Sequence, residues 1–357
     1  MLDFIKEKTS VWERLAKTTK PIVLYGMGNG ADKIIDWCEA HQVAVAGVFA
    51  SDEFVRGQVF RGFTVQKYSD IIARLGQDIF IVIAFASEGE QVLQRFQELN
   101  SLHETVAPHL SLFGGEELVS LEWLEQHQEQ LQQVYDHLAD EQSRRVFAAT
   151  LNYKLSGKID YLCQCTTSRA ADLQLFDWGK DEVYLDLGAY NGDTVQEFLG
   201  LTGGHYRQII AVEPDRKNCK KLRALGETLE QGRLTIHQVG IWSERGELGF
   251  SDSGGRQSSF CLKPKNVVPV NSIDNLAEDY PVSYIKMDVE GAEVQALQGG
   301  ERTLRSYKPK LFIAAYHYDA DLYRLPLLLW SLVPDYKIYL RKHPYIPAWE
   351  LNFLALI

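Results

Sequence analysis

From Asp181 to Ile357 the chain alternates short apolar runs with amphipathic stretches, and its last two runs, 336–341 and 351–357, lie too close together for a helix to fit between them. No other feature constrains the fold as strongly. Parallel neighbours in a sheet need a crossover of a dozen or more residues, so these two runs have to pair antiparallel. The earlier runs, at 183–187, 208–212, 234–238, 283–288 and 310–316, are each separated by enough chain for a helix, which predicts five parallel strands. A further helix is expected over about 322–332, and a hairpin-like piece over 247–251 in the longer insertion before the fourth run. The expectation is an α/β fold whose larger sheet has seven strands, five parallel and closed by an antiparallel pair.

The first third alternates in the same way on a smaller scale. Pro21 to Tyr25 is a short apolar strand, Gly26-Met27-Gly28-Asn29-Gly30 a turn, and Ala31 to Ala40 a helix with Ile34, Ile35 and Trp37 on its inner side. Val43 to Phe49 and Ile79 to Phe85 read as two more strands, the latter almost wholly apolar as befits a buried parallel strand. This predicts a Rossmann-like unit. Between the two units, residues 101–140 contain no Lys or Arg but eight Asp or Glu. Leu121, Leu124, Leu131 and Leu138 fall near heptad spacing, interrupted at Gln128. That pattern predicts a long acidic, Gln-rich helix, either packed on one domain or forming the seam of a homodimer. Four of the nine histidines, His103, His109, His127 and His137, lie in this region, and their spacing implies surface placement only. The expected organisation is 1–115 for the Rossmann-like domain, 116–178 for a helical linker and 179–357 for the larger α/β domain.

The bulk numbers narrow the partners. A net charge of −11 disfavours a nucleic-acid backbone as ligand. No run of about 18 apolar residues occurs, so no membrane span is expected. The acidic start, Met1-Leu2-Asp3-Phe4-Ile5-Lys6-Glu7, does not read as a signal peptide. The cysteines, Cys38, Cys163, Cys165, Cys219 and Cys261, are odd in number and scattered, which fits reduced thiols and a cytoplasmic location. Cys163 and Cys165 have a poor zinc spacing, so no metal is assigned to them.

Open α/β sheets bind ligands beyond the carboxyl ends of their strands. The first such loop here holds Asp186, Gly188, Ala189, Tyr190, Asn191, Gly192 and Thr194. Its glycines permit a tight turn and close approach of backbone to a bulky ligand. The spacing differs from the dinucleotide Gly-x-Gly-x-x-Gly, and an acidic residue precedes the first glycine. That charge would repel a pyrophosphate and favour a cationic ligand such as the ammonium and sulfonium of S-adenosylmethionine (SAM). The second loop begins Glu213-Pro214, 27 residues after Asp186, and a carboxylate there suits ribose hydroxyls. The third, with Gly240 and Trp242, is expected to reach the adenine, with Trp242 either stacking on the base or serving as a core aromatic. The fourth strand delivers Asp288 to the cleft mouth, with Lys286 and Glu290 alternating to the same side, and the fifth delivers His317. An imidazole there would suit proton removal from an alcohol. The glycines at 26, 28 and 30, with Asp52 beyond the second strand, leave an alternative open: an NAD(P)-dependent oxidoreductase or a nucleotide-sugar-binding accessory protein.

These residues resemble the FkbM-type methyltransferases. The resemblance rests on YLDLGAYNGDT (184–194), AVEPD (211–215), Arg256-Gln257-Ser258-Ser259, YIKMDVEGAE (284–293), and AYH (315–317) followed by Asp321-Leu322. It covers roughly Phe176 to Ile357, with the first 120 residues similar to the Rossmann-like extension some members carry. It implies the class I methyltransferase sheet, SAM as cofactor, and O-methylation of a hydroxyl, commonly on sugars of glycolipids, capsules or other glycans and sometimes on polyketides. His317 or Asp288 would take the hydroxyl proton. A variant in which Asp288, Glu290 and His317 hold a divalent metal is not preferred on sequence, and no residue is assigned as a metal ligand. The loop from Ser251 to Asn266 and the N-terminal domain are expected to shape the acceptor site.

Overall fold

The computed structural model of the chain describes residues 2–114, 117–251, 259–260 and 266–357. The N-terminal unit runs β1 (Ile22–Tyr25), α1 (Asn29–Ala40), β2 (Val45–Ala50), β3 (Gln66–Lys67), α2 (Tyr68–Leu75), β4 (Phe80–Ile83), α3 (Glu90–Leu102) and β5 (Glu104–Val106). Its strands lie in the order β3-β2-β1-β4-β5, and every pair is parallel. β1 and β4 are apolar and buried along their whole length because helices cover both faces. The three strands expected from the sequence are β1, β2 and β4. β3 and β5 have only two and three residues, too few to show a period.

The glycine turn after β1 is explained by packing. A Cβ on Gly26 would lie 2.4 Å from the Phe85 ring, and one on Gly30 would lie 2.3 Å from the Ala84 carbonyl oxygen. The turn is pressed against the exit of β4, which demands glycine at both positions without a ligand. Asp52 sits in an exposed turn and pairs with Lys67 at 3.4 Å.

The acidic connecting region forms two helices where the sequence suggests one: α4 (Leu121–Gln126) and α5 (Gln128–His137), followed by α6 (Glu141–Ser156). The break falls at His127, whose ring packs between Trp123 (centroids 4.8 Å apart) and Tyr323 (5.0 Å). Leu124, Leu131 and Leu138 are buried in the core of the larger sheet, with Leu121 packed against it. The leucine stripe therefore faces the chain's own core. Two of the four histidines are also buried, contrary to expectation. His103 lies 2.6 Å from the Tyr68 hydroxyl, and His109 pairs with Asp319.

The C-terminal unit runs β6 (Val183–Leu187), α7 (Asp193–Leu201), β7 (Gln208–Val212), α8 (Arg216–Gly226) and β8 (Leu234–His237). Four short strands follow, β9 (Gly240–Ile241), β10 (Gly246–Ser251), β11 (Ser259–Phe260) and β12 (Asn266–Asn271). The chain then continues with β13 (Tyr284–Met287), α9 (Glu293–Gln298), β14 (Lys310–Ala314), α10 (Asp321–Leu332), β15 (Lys337–Lys342) and β16 (Leu351–Leu356). The large sheet has the order β8-β7-β6-β13-β14-β16-β15. All neighbours are parallel except that β16 runs antiparallel to both β14 and β15, as the short connection requires. The expected hairpin is β10, which pairs antiparallel with β12 in a separate four-stranded sheet. Leu185, Ile210, Ile285, Ile313 and Phe353 are fully buried along the middle of the large sheet, each contributing about 1.5–3 kcal/mol.

The two units share elements. α6 supplies Phe147 and Leu151 to the large core and Tyr153 to the N-terminal one. Leu2 and Ile5 pack in the large core as well. The Asn152 side chain holds that leading segment, accepting from the N–H groups of Lys6 (2.7 Å) and Glu7 (3.1 Å) and donating to the Phe4 carbonyl (2.9 Å). Ser87 and Ile346 exchange backbone hydrogen bonds of 2.8 and 3.0 Å across the boundary. Among the described residues, Cys38, Cys163, Cys165 and Cys219 are free thiols, and no helix is long and apolar enough to cross a membrane. Cys261, Arg256, Gln257 and Ser258 lie outside the described residues.

Candidate active site

The strand order of the large sheet reverses between β6 and β13, and there the first and fourth loops meet. Asp186 and Lys286 are cross-strand partners in this register. A carboxylate wholly buried in a strand needs compensation. The Thr194 hydroxyl donates to Asp186 Oδ2 at 2.6 Å, and Lys286 Nζ stands 3.7 Å from Oδ1 while donating to the Gly188 carbonyl at 2.8 Å. Oδ1 itself has no hydrogen-bond partner. Burial pushes the Asp186 pKa up, and Lys286 and Thr194 offset part of that. Lys286 thus turns toward the first loop, so the one-sided cluster expected for Lys286, Asp288 and Glu290 is divided, the strand having ended at Met287.

The first loop is tightly built. Gly188 (φ +79°) and Gly192 (φ +89°) occupy the left-handed region, as does Tyr190 (φ +44°). A Cβ on Gly188 would lie 1.9 Å from the Asp288 carbonyl oxygen, so only glycine admits this contact. The amides of Gly188 and Ala189 both donate to the Val212 carbonyl at 3.0 Å. The Tyr190 amide donates to Glu213 Oε2 at 2.9 Å, and the Asp215 amide to Glu213 Oε1 at 2.9 Å. Glu213, 7% exposed, therefore joins the first and second loops, and burial raises its pKa despite these donors. Asn191 accepts from the Asp193 amide, closing the start of α7. Tyr190 is exposed, with Lys221 Nζ 5.6 Å from its ring centre. Pro214 is half-buried beside Glu213. Gly240 and Trp242 lie in or beside the four-stranded sheet, where the Trp242 amide donates to the Asn271 carbonyl.

The fourth and fifth loops form the second half of the site. After Asp288 the chain turns through Glu290 (φ +54°) and Gly291 (φ +92°), which brings Glu293, the first residue of α9, back beneath it. Glu293 Oε1 accepts from the Val289 amide at 3.0 Å and lies 2.9 Å from His317 Nδ1. That His–Glu pair is close but misaligned, so His317 Nδ1 and Glu293 Oε2 remain without a hydrogen bond. His317 Nε2 lies 3.5 Å from Asp288 Oδ1 and 3.5 Å from Glu290 Oε2. The Tyr316 hydroxyl is 3.3 Å from both oxygens of Asp288. The side chains of His317 and Glu293 are 1% exposed, against 33% for Asp288 and 38% for Glu290. Burial alone would lower the His317 pKa, but Glu293, Glu290 and Asp288 outweigh it and raise it well above the usual range. Conversely His317 holds Glu293 low against the upward effect of burial. Burial, then Glu293, pushes Asp321 up to about 8. Asp288 and Glu290 are the groups most open to an incoming hydroxyl, with His317 enclosed behind them.

The N-terminal unit reaches this half. Phe113 lies 5.9 Å from the His317 ring and 5.4 Å from that of Tyr318, over Gly291. Its loop is pinned by the buried Asp319, which accepts from the Val119 amide (2.7 Å), faces His109 Nε2 (2.8 Å) and pairs with Lys154. Burial opposes ionisation of Asp319, yet His109 and Lys154 hold its pKa well below the ordinary carboxylate range. Two open hollows of about 410 and 360 Å3, beside Leu2 and Gln128 and beside Lys180 and Arg233, contain none of these residues.

Residues 186–344 match the Methyltransferase FkbM domain. That match lies wholly within the C-terminal unit. The chain is 26% identical over 185 residues to the 2-O-methyltransferase NoeI of Sinorhizobium fredii, covering 44% of this chain and 73% of that one. Its fold is similar to the crystal structure of Methyltransferase FkbM from Methylobacillus flagellatus KT, with a TM-score of 0.73 and 21% identity over 99% of this chain and 95% of that one. That fold likeness takes in the N-terminal unit as well as the C-terminal one.

Site residues legible in the sequence thus converge as two half-sites: Asp186, Gly188 to Thr194 and Glu213 in one, Asp288 and His317 in the other. Glu293, His109, Asp319 and Phe113 were not selected. Glu293 sits in the YIKMDVEGAE stretch, where it reads as an ordinary acidic residue at a helix start. The other three meet only in the tertiary structure.

Proposed function

We propose that this methyltransferase uses SAM and transfers its methyl to a hydroxyl of a sugar or glycan acceptor. The observation that carries the reading is the hydrogen bond from the Tyr190 amide to Glu213, made where Gly188 touches the Asp288 backbone. It sets a carboxylate suited to ribose beside a glycine turn and next to an open acid. The residues fit the cofactor in kind: Asp186 keeps a buried oxygen without a donor, and Gly188 leaves no side chain in the way. Gly188 to Thr194 would hold the methionine part and Glu213 the ribose, with Asp186 acting through Thr194 and Lys286. SAM, when bound, supplies an electrophilic methyl on a sulfonium. The protein contributes chiefly alignment, since holding two reactants in register removes much of the entropic barrier. Asp288, the more accessible neighbour of the first loop, takes the hydroxyl proton. His317 lies behind it as a positioning residue.

The hydroxyl acceptor follows the 2-O-methyltransferase relative, and the sugar class follows the family resemblance. Phe113, over Gly291, offers an apolar ring face of the kind that packs on a pyranose. The glycines at 26 and 30 are accounted for by contacts with Phe85 and Ala84, so the N-terminal unit is read as an accessory to acceptor binding. Calorimetry with SAM and with its demethylated product tests the reading. One-site binding of both is expected, and no heat at millimolar ligand would overturn it.

A further inference from the structure

We infer that Asp288, Glu293 and His317 form a divalent-cation site, with Glu290 within reach as a further ligand. One donor atom from each of the first three lies within 4.8 Å of the others. Donors bound at about 2.0–2.2 Å to one ion stand roughly 3–3.5 Å apart. His317 Nε2 is 3.5 Å from Asp288 and from Glu290, and Nδ1 is 2.9 Å from Glu293. The two edges of the ring cannot serve one ion, so Nε2 would bind it with Asp288 and Glu290 at hand, and Glu293 would join through its free Oε2 after releasing Nδ1.

A second observation is independent of this clustering. His317 and Glu293 are almost wholly enclosed, yet His317 Nδ1 and Glu293 Oε2 lack hydrogen-bond partners. Buried polar atoms left in this state are costly, and in native proteins they usually mark a missing partner. Three carboxylates converging on one imidazole also leave excess negative charge in a site closed on one side. A dication satisfies the orphan Glu293 oxygen and the charge together. The metal variant not preferred on sequence named Asp288, Glu290 and His317. The turn through Glu290 and Gly291 adds the enclosed Glu293, which makes the set deeper and more complete.

One imidazole among carboxylates favours an ion that accepts both nitrogen and oxygen, with Mn2+ the natural probe. The site faces the acceptor half of the cleft, so the inference rests on the methyltransferase reading for its role. Bound there, the ion would lower the pKa of an acceptor hydroxyl, and the proton would pass to the oxygen of Asp288 not on the metal.

The test is titration of chelator-treated full-length protein with MnCl2, followed by calorimetry and by loss of the free Mn2+ electron-paramagnetic-resonance signal. One ion per chain is expected, with affinity weakened about tenfold or more in Asp288→Asn and in Glu293→Gln. Asp288→Asn is the more exposed of the two, so thermal unfolding of that variant guards against misfolding. SAM binding is measured on the same samples. Wild-type protein that binds SAM but not millimolar Mn2+, or Mn2+ binding unchanged in both variants, overturns the cation site and leaves the methyltransferase reading standing. Mn2+ binding without SAM binding does the reverse.

Discussion

Replacing Asp319 by asparagine removes one charge and almost no volume. The asparagine oxygen can still accept from the Val119 amide, so what is lost is the ionic contact with Lys154 and the carboxylate that faces His109. Both Lys154 and Asp319 have side chains 1% exposed. Breaking a buried pair from one side strands the other charge, which costs about 3–5 kcal/mol, whereas removing both partners is often close to neutral. Asp319→Asn is therefore expected to lose about 3–5 kcal/mol, and Lys154→Met combined with it to recover at least about 2 kcal/mol of that loss. Urea unfolding followed by tryptophan fluorescence and circular dichroism measures this, with the first transition analysed separately because the chain has two cores. The pH dependence supplies a further check. Asp319 is held below its unfolded pKa, so its stabilisation is present in full above about pH 4 and fades as pH falls through the folded value. The gap between wild type and Asp319→Asn should narrow as pH falls below about pH 4. A single variant within about 0.5 kcal/mol of wild type, or strictly additive effects, would refute the account of this cluster as a buried ionic lock.

Glu213→Ala is expected to weaken SAM binding by about 10- to 100-fold, the worth of hydrogen bonds to a charged group, with calorimetry as the measurement. Gly188→Ala should abolish SAM binding and lower the melting temperature, because its Cβ would stand 1.9 Å from a backbone oxygen at φ +79°. Near-wild-type affinity there would mean the two loops are not pressed together as described. Phe113→Ala should raise KM for the acceptor several-fold while leaving SAM affinity unchanged, and Phe113→Tyr should restore it. A fall in SAM affinity instead would place Phe113 outside acceptor recognition.

The sheet was legible because its strands are short, apolar and evenly spaced, and because the connection from Lys342 to Leu351 is too short for a crossover. The first half-site was legible for the same reason: Gly188 and Glu213 lie directly after strands, where alternation ends. The second half was less so. Glu293 is brought under Asp288 only by two consecutive positive-φ residues, and backbone reversals of that kind leave no periodic mark. Heptad spacing in the acidic linker cannot tell a seam from a buried face, and of the two readings it left open the leucines follow the one packed on the chain's own core. His127, wedged between Trp123 and Tyr323, breaks the helix for a reason that lies nearly two hundred residues away in the chain.

The anchoring of Leu2 and Ile5 sets an order on the making of this protein. The side chains that hold this segment are Asn152, and Tyr135 and Phe147 against the Phe4 ring, all in α5 and α6. The N-terminal parallel sheet can assemble while the chain is still emerging from the ribosome, since nascent domains fold as units. The residues ahead of it must wait until α5 and α6 have appeared. Docking of this leading segment thus follows synthesis of the N-terminal sheet, and it fastens the start of the chain to α5 and α6.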